Sequence, residues 1–423
     1  MPRHCSVHRQ IPDPPIRSVP ADFFTAHNQD RKKAMMFEPV PGKYVWNLSA
    51  NLALSTGGLI GEVDRACRPL LDAGEQTEDE STQAFFTSWC AVADTLVEIA
   101  DEDEKLGRRR SAGEKHRRAA VYYQTAERMQ NHSFAPRKEA YAKTLASFAK
   151  FLELTDQPAE KVEIPYGDGT FPGILMRAAV DGPAPCVIFF NGLDSTKEQF
   201  YGSGTPDELR RRGISTLMVD APGAGEALRL RGMTAIPESE RWAAACIDVL
   251  EQRADIDSSM IGMIGWSLGG YYGPRATAFE PRIKFSVAWG SNYDWGQVQL
   301  RRLENQGDRP VPHYWEHVQW VWGAKDMDEF LEIAPKVTLR GIMDRVEVPF
   351  LVVHGAHDRQ IPLEYAHNLF DDLVNSPKRE LKIFTDREGG VEHCSLDNTP
   401  MVRDYICDWI RETVTELLAV ARS

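Results

Sequence analysis

Apolar residues along the first 160 positions recur at helical spacing, and beyond that point they gather into short unbroken runs. In "STQAFFTSWCAVADTLVEIADEDEKLG" one face carries Phe85, Trp89, Val92 and Leu96, behind a serine suited to cap the helix. "NLALSTGGLIGEVDRACRPLLDAG" has the same spacing and stops at Gly74. "SAGEKHRRAAVYYQTAERMQ" sets His116, Ala119, Tyr123, Ala126 and Gln130 on one face. "PRKEAYAKTLASFAKFLEL" opens with Pro136, which suits a first helical turn because no N–H is needed there. Residues 45–155 therefore read as closely paired helices, and 1–160 as a helical N-terminal domain.

The texture then changes. "EKVEIPYGDGTFPGILMRA" predicts a hairpin with Gly167-Asp168-Gly169 at its tip. Six apolar runs follow: 185–190, 214–220, 259–266, 283–290, 349–355 and 381–385, with helical stretches between most of them. Continuous apolar strands alternating with helices predict an α/β fold, a mostly parallel sheet covered on both faces. Residues 161–423 form this second domain. The stretch 297–345 is too long for a simple connection and predicts a helical cap inserted into it. In such sheets a ligand sits at the carboxyl ends of the strands, so the residues after each run carry the search for chemistry.

"IGMIGWSLGG" (261–270) is the most informative of these strand ends. Gly265-Trp266-Ser267-Leu268-Gly269 follows a strand and precedes a helix. Small neighbours let the backbone turn sharply and lift the serine Oγ into a site, which makes Ser267 a candidate nucleophile. The same turn aims the Leu268 N–H at that place. A serine nucleophile needs a base, and the base an orienting acid. "LKIFTDREGGVEHCSLD" supplies His393 after the last strand, and "PFLVVHGAHDRQIP" supplies Asp358 after the one before it, in the chain order serine, acid, histidine. Asp294 in "GSNYDWG" is the rival acid. "FFNGLDSTKEQ" places the Leu193 N–H as second oxyanion donor beside that of Leu268. Tyr314, Trp315, Trp320 and Trp322 crowd the insertion and, with Trp266, are candidates to line a flat pocket, while core packing of the cap is the competing use for them. "VDAPGAGEA" resembles a phosphate loop only superficially, for it lacks the lysine that would follow.

Composition narrows the partners. Lys+Arg 49 against Asp+Glu 62 leaves a net charge of −13, which repels nucleic acid and anionic membrane surfaces. No segment approaches the ~18 continuous apolar residues of a span. The first thirty residues lack an apolar signal core, and seven cysteines are scattered without a CxxC, so a cytoplasmic protein with reduced thiols is expected. "HCSVH" (4–8) reads as part of a Pro-rich tail rather than a metal site. No metal or cofactor is expected.

"NGLDSTKEQ", "DAPGAGE", "GWSLGG" and the Trp-rich insertion, behind a helical N-terminal region, together resemble the α/β-hydrolase family. Within it the chain resembles the subgroup of 2,6-dihydroxypseudooxynicotine hydrolase and the fungal polyketide-shortening hydrolases. The resemblance implies the α/β-hydrolase fold, a triad of Ser267, Asp358 and His393, and a small-molecule substrate held between cap, helical domain and sheet. It also implies hydrolysis of a C–C bond beside a ketone in an aromatic or polyketide-like compound, and allows a homodimer. The triad alone suits a carboxylesterase or lactonase equally well. A non-catalytic scaffold is the reading that an intact triad opposes.

Overall fold

Five of the six apolar runs become strands because their β-branched and aromatic residues are buried on both sides, while the last, 381–385, is half-buried at the sheet edge. The computed structural model describes residues 36–71, 77–305 and 311–422. The "HCSVH" stretch and Gly74 lie outside the described residues. Eight strands form one sheet: β1 (Ala159–Tyr166), β2 (Gly169–Met176), β3 (Ala184–Phe190), β4 (Ser215–Val219), β5 (Ile256–Trp266), β6 (Ile283–Trp289), β7 (Phe350–Gly355) and β8 (Arg379–Phe384). Their spatial order is β1-β2-β4-β3-β5-β6-β7-β8. β1 and β2 form the expected hairpin, and β2 joins β4 antiparallel; every later pairing is parallel. Helices cover both faces. Alternation along β3 shows how: Cys186, Ile188 and Phe190 enter one core, Val187 and Phe189 the other.

The first core continues into the N-terminal helices, where Trp46, Phe85, Trp89 and Tyr122 are fully buried in the same apolar cluster as Phe190 and Leu217. The second takes in Phe148 and Phe151 of the helix Ala135–Thr155, with the C-terminal residues Val402, Ile406 and Ile410. Burying each such side chain contributes about 1.5–3 kcal/mol, so the helices and the sheet stabilise each other. Two helix boundaries differ from expectation. The helix Glu78–Lys105 starts a turn before Ser81, because Thr77 and Glu80 form a reciprocal capping box. The helical run after residue 44 breaks into Tyr44–Ser55 and Ile60–Cys67 at Gly57, whose φ of 107° no helix accommodates.

Between β6 and β7 the chain forms the helices Trp295–Glu304, Tyr314–Trp322 and Met327–Ile333. Gly323, at φ 67°, ends the middle one. The six described cysteines are free thiols. Among the described residues no helix is long and apolar enough to cross a membrane.

Candidate active site

The site is built at the end of β5. Ser267 has φ 60°, a left-handed conformation that a non-glycine residue adopts only when its surroundings enforce it. The surroundings are backbone. A Cβ on Gly265 would lie 1.9 Å from the Gly269 carbonyl oxygen, and one on Gly269 would lie 2.5 Å from that of Phe190. The Ser267 N–H donates to the Trp289 carbonyl at 3.0 Å, tying the turn to the end of β6. The helix Gly269–Phe279 starts immediately beyond, so its N-terminal dipole faces the serine.

Two further strand ends complete the group. Ser267 Oγ lies 2.9 Å from His393 Nε2. His393 Nδ1 lies 2.9 Å and 3.1 Å from the two carboxylate oxygens of Asp358. The Nδ1–H therefore donates to the acid and Nε2 is left to accept from the serine. Asp358 also accepts from the N–H groups of Gln360 (2.7 Å) and Ile361 (3.0 Å). Burial alone would raise its carboxyl, but the facing imidazole holds it below its ordinary value. The imidazole responds oppositely: burial lowers it, and the Asp358 charge lifts it well above its usual range.

The rival acid, Asp294, caps the helix Trp295–Glu304 through the Gln297 N–H and pairs with Arg340. His354 is fully buried behind Asp358, donates to the Ile361 carbonyl at 3.1 Å and accepts from the Ser291 N–H. His357 lies at the surface against Asp386.

Leu193 and Leu268 flank the serine. Among the described residues neither backbone N–H donates to a backbone carbonyl outside the helices and strands. Gly192 brings its loop into contact, since a Cβ there would stand 2.9 Å from Ser267 Cβ. A cavity of about 60 Å³ opens on Ser267 and His393, and its apolar wall includes Leu48, Leu52, Trp266, Val311 and Leu396. Arg128 and Asp194 supply a charged pair at 2.6 Å.

The aromatic residues of the insertion have packing partners of their own. Tyr314, Trp315, Trp320 and Trp322 do not line this cavity; Trp266 alone of the five does. The helix Tyr314–Trp322 turns them to different neighbours. Trp322 packs on Trp295 and Tyr272, Trp315 on Phe330, and Trp320 stacks on His132 under Arg137. Tyr314 is fully buried and hydrogen-bonds Gln299 and Arg302. Their apolar area packs the insertion on itself and against the N-terminal helices and the helix Gly269–Phe279.

Sequence reasoning missed the supports of the site. Asp397 accepts the N–H groups of Gly390, Val391 and Glu392, forming a cradle for the histidine loop. Arg359 bonds Glu392 through both ends of its fork, joining the acid loop to the histidine loop. Cys394, at φ 51°, places its Sγ 3.5 Å from His393 Nε2. Asp220, after β4, accepts from Asn191, from the Lys197 backbone and ammonium, and from Glu226 N–H. The only available signals were chain neighbours: Arg359 and Glu392 each adjoin a triad candidate, and Asp220 ends a strand.

The chain is similar to known hydrolases. Residues 241–414 match the prolyl oligopeptidase family, and residues 86–294 match the FrsA-like esterase family. The chain is 26% identical over 332 residues to 2,6-dihydropseudooxynicotine hydrolase of Paenarthrobacter nicotinovorans, covering 78% of this chain and 84% of that protein. It is 26% identical over 400 residues to hydrolase LUC6 of Fusarium sp, covering 85% and 94%. The crystal structure of 2,6-dihydroxy-pseudo-oxynicotine hydrolase superposes with a TM-score of 0.71 at 25% identity, over 86% of this chain and 95% of that one.

Proposed function

Because the chain belongs to the α/β-hydrolase superfamily, we propose that it is a serine hydrolase that cleaves a C–C bond beside a ketone in an apolar, polyketide-like substrate. The observation that carries this reading is the continuous chain from Ser267 Oγ through His393 to Asp358, at 2.9 Å and 2.9 Å. His393 Nε2 takes the Ser267 proton as Oγ attacks the carbonyl carbon. The carbonyl π electrons move to oxygen, and the Leu193 and Leu268 N–H groups receive that charge. Collapse re-forms the carbonyl and expels carbon, which must leave as a stabilised enolate; His393 returns its proton to it. Water, deprotonated by His393, then attacks the acyl-serine, and the acid product leaves as Ser267 is reprotonated.

The preference for carbon over oxygen as leaving atom rests on the resemblance to the subgroup of 2,6-dihydroxypseudooxynicotine hydrolase, with which the similarity to 2,6-dihydropseudooxynicotine hydrolase agrees. Apolar walls around the serine suit a carbon chain better than a sugar or peptide. A carboxylesterase or lactonase is the second reading, favoured by the match to the FrsA-like esterase family. The two are separated by assaying the purified protein against matched panels of β-diketones and p-nitrophenyl esters, with Ser267→Ala as control. Diketone cleavage that Ser267→Ala abolishes is the expected result. Fast ester turnover with no diketone cleavage would leave the second reading standing in place of the first.

A further inference from the structure

The loop Asn191–Thr196, which carries the Leu193 N–H, is held from outside the hydrolase half of the chain. Gln124 and Arg128 lie one turn apart on one face of the helix Arg109–Arg128. Gln124 Nε2 donates to Thr196 Oγ1 at 2.5 Å. Arg128 donates through Nε (3.0 Å) and Nη2 (2.6 Å) to one oxygen of Asp194, while its Nη1 donates to Ser49 Oγ on the helix Tyr44–Ser55. All four gripping groups are buried or nearly so: Gln124 is 1% exposed, Thr196 0%, and the Arg128 and Asp194 side chains 5% and 18%. The loop's internal bonds are short-range ones: Gly192 N–H to Ser195 Oγ at 2.8 Å and Asn191 Nδ2 to the Ser195 carbonyl at 3.2 Å. On its far side Asn191 Nδ2 reaches Asp220 at 3.1 Å. The two outside grips thus fall on residues 194 and 196, immediately after the oxyanion donor.

We propose that Gln124 and Arg128 are positioning residues that set the Leu193 N–H at the oxyanion position, so that the N-terminal helices complete the catalytic site without entering the reaction. The proposal rests on the reading of Ser267 as nucleophile and holds for ester or C–C cleavage alike. A preorganised donor works only if it sits where charge develops, and a displacement near 1 Å can cost about 100-fold. Gln124 lies outside the lining of the Ser267 cavity, so it reports positioning without touching substrate.

The test uses the full chain with Gln124→Leu, Arg128→Lys and Asp194→Asn, assayed on whichever diketone or ester the wild type turns over. Inhibition by a trifluoromethyl ketone is measured in parallel, because its hemiketal with Ser267 places an oxyanion against the two N–H groups. For Gln124→Leu the expected result is kcat lower by about 10- to 100-fold, with KM within about twofold and the inhibition constant raised in proportion to the kcat loss. Arg128→Lys, which keeps the charge and loses the fork, should fall between wild type and Asp194→Asn. If Gln124→Leu does not fold, Gln124→Met, which keeps the bulk and loses the bond to Thr196, is judged by the same three numbers. Unchanged kcat, or a kcat loss with unaltered trifluoromethyl ketone inhibition, would overturn the proposal. Activity surviving Ser267→Ala would instead overturn the reading beneath it, and is separately recognisable.

Discussion

A single buried carboxylate decides how the imidazole behaves. Asp358 faces His393 Nδ1 through both oxygens and is itself fixed by two backbone N–H groups. Asp358→Asn would present the imidazole with an amide that can donate, favouring the wrong tautomer, and would remove the partner of the imidazolium. We expect kcat to fall on the order of 10⁴-fold. Asp294→Asn should lower stability rather than kcat, because Asp294 pairs with Arg340 and a helix N-terminus. The pH profile carries a second signature. His393 must be neutral to accept the serine proton, and Asp358 holds it well above the usual imidazole value of 6.5 against the effect of burial. The acid limb of kcat/KM should therefore lie above pH 6.5, with activity lost as pH falls through it. In Asp358→Asn the limb should move to lower pH. A pH–rate series on the two proteins checks both points; an unmoved limb would detach His393 from the profile.

Elements were legible in the sequence where burial imposed a period. The apolar runs of β3 to β7 are buried on both sides and the G-x-S-x-G turn joins one of them to a helix, so Ser267 and His393 could be picked out by their place after strands, whereas chain order left Asp294 as a rival to Asp358. Side-chain destinations were less legible. Four aromatic residues within nine positions mark the helix Tyr314–Trp322, but spacing alone does not say which face meets a cavity and which a neighbouring helix. Trp320 and Trp322 indeed diverge, one toward His132 and the other toward Trp295. The supports Asp397, Arg359 and Asp220 were illegible because their partners come from loops that only the fold brings together. This difference is measurable in the insertion. Trp322 is 3% exposed and wedged between Trp295 and Tyr272. Trp322→Ala should destabilise the protein by about 3–5 kcal/mol through the cavity it leaves, seen as a lower denaturant midpoint. Its effect on KM should be the same for aromatic and aliphatic substrates. A selective KM increase for aromatic substrates would return Trp322 to the pocket.

At the scale of the whole molecule, charge as well as apolar area binds the N-terminal helices to the sheet. Glu127 is fully buried between two guanidinium groups, receiving Arg137 Nε at 2.7 Å and Arg229 Nε at 2.9 Å. Arg137 belongs to the helical half and Arg229 to a helix after β4, so one carboxylate spans the boundary. Tyr44 adds a second crossing, beneath the Arg359 guanidinium at 3.9 Å. Burial would raise the Glu127 carboxyl, but Arg229 and Arg137 hold it below its usual value of 4.5. Its contribution to stability is therefore complete above about pH 4.5 and is lost only as pH falls through that lowered value. Removing the charge while keeping the shape, as Glu127→Gln does, leaves two buried cations facing each other and should cost about 3–5 kcal/mol. The harsher cut follows from the same contacts. A chain starting at Lys161 would strip Arg128 from Asp194 and Glu127 from Arg229, and would bare the wall on which Trp46, Trp89 and Tyr122 pack. Such a chain should be insoluble or inactive, and supplying residues 1–160 as a separate polypeptide during refolding should restore activity if the two surfaces still meet. Equilibrium unfolding of Glu127→Gln reads the charge alone, and solubility and turnover of the shortened chain read charge and apolar surface together. A soluble, fully active chain from Lys161 would show that neither the buried ion pairs nor the shared core is required by the site.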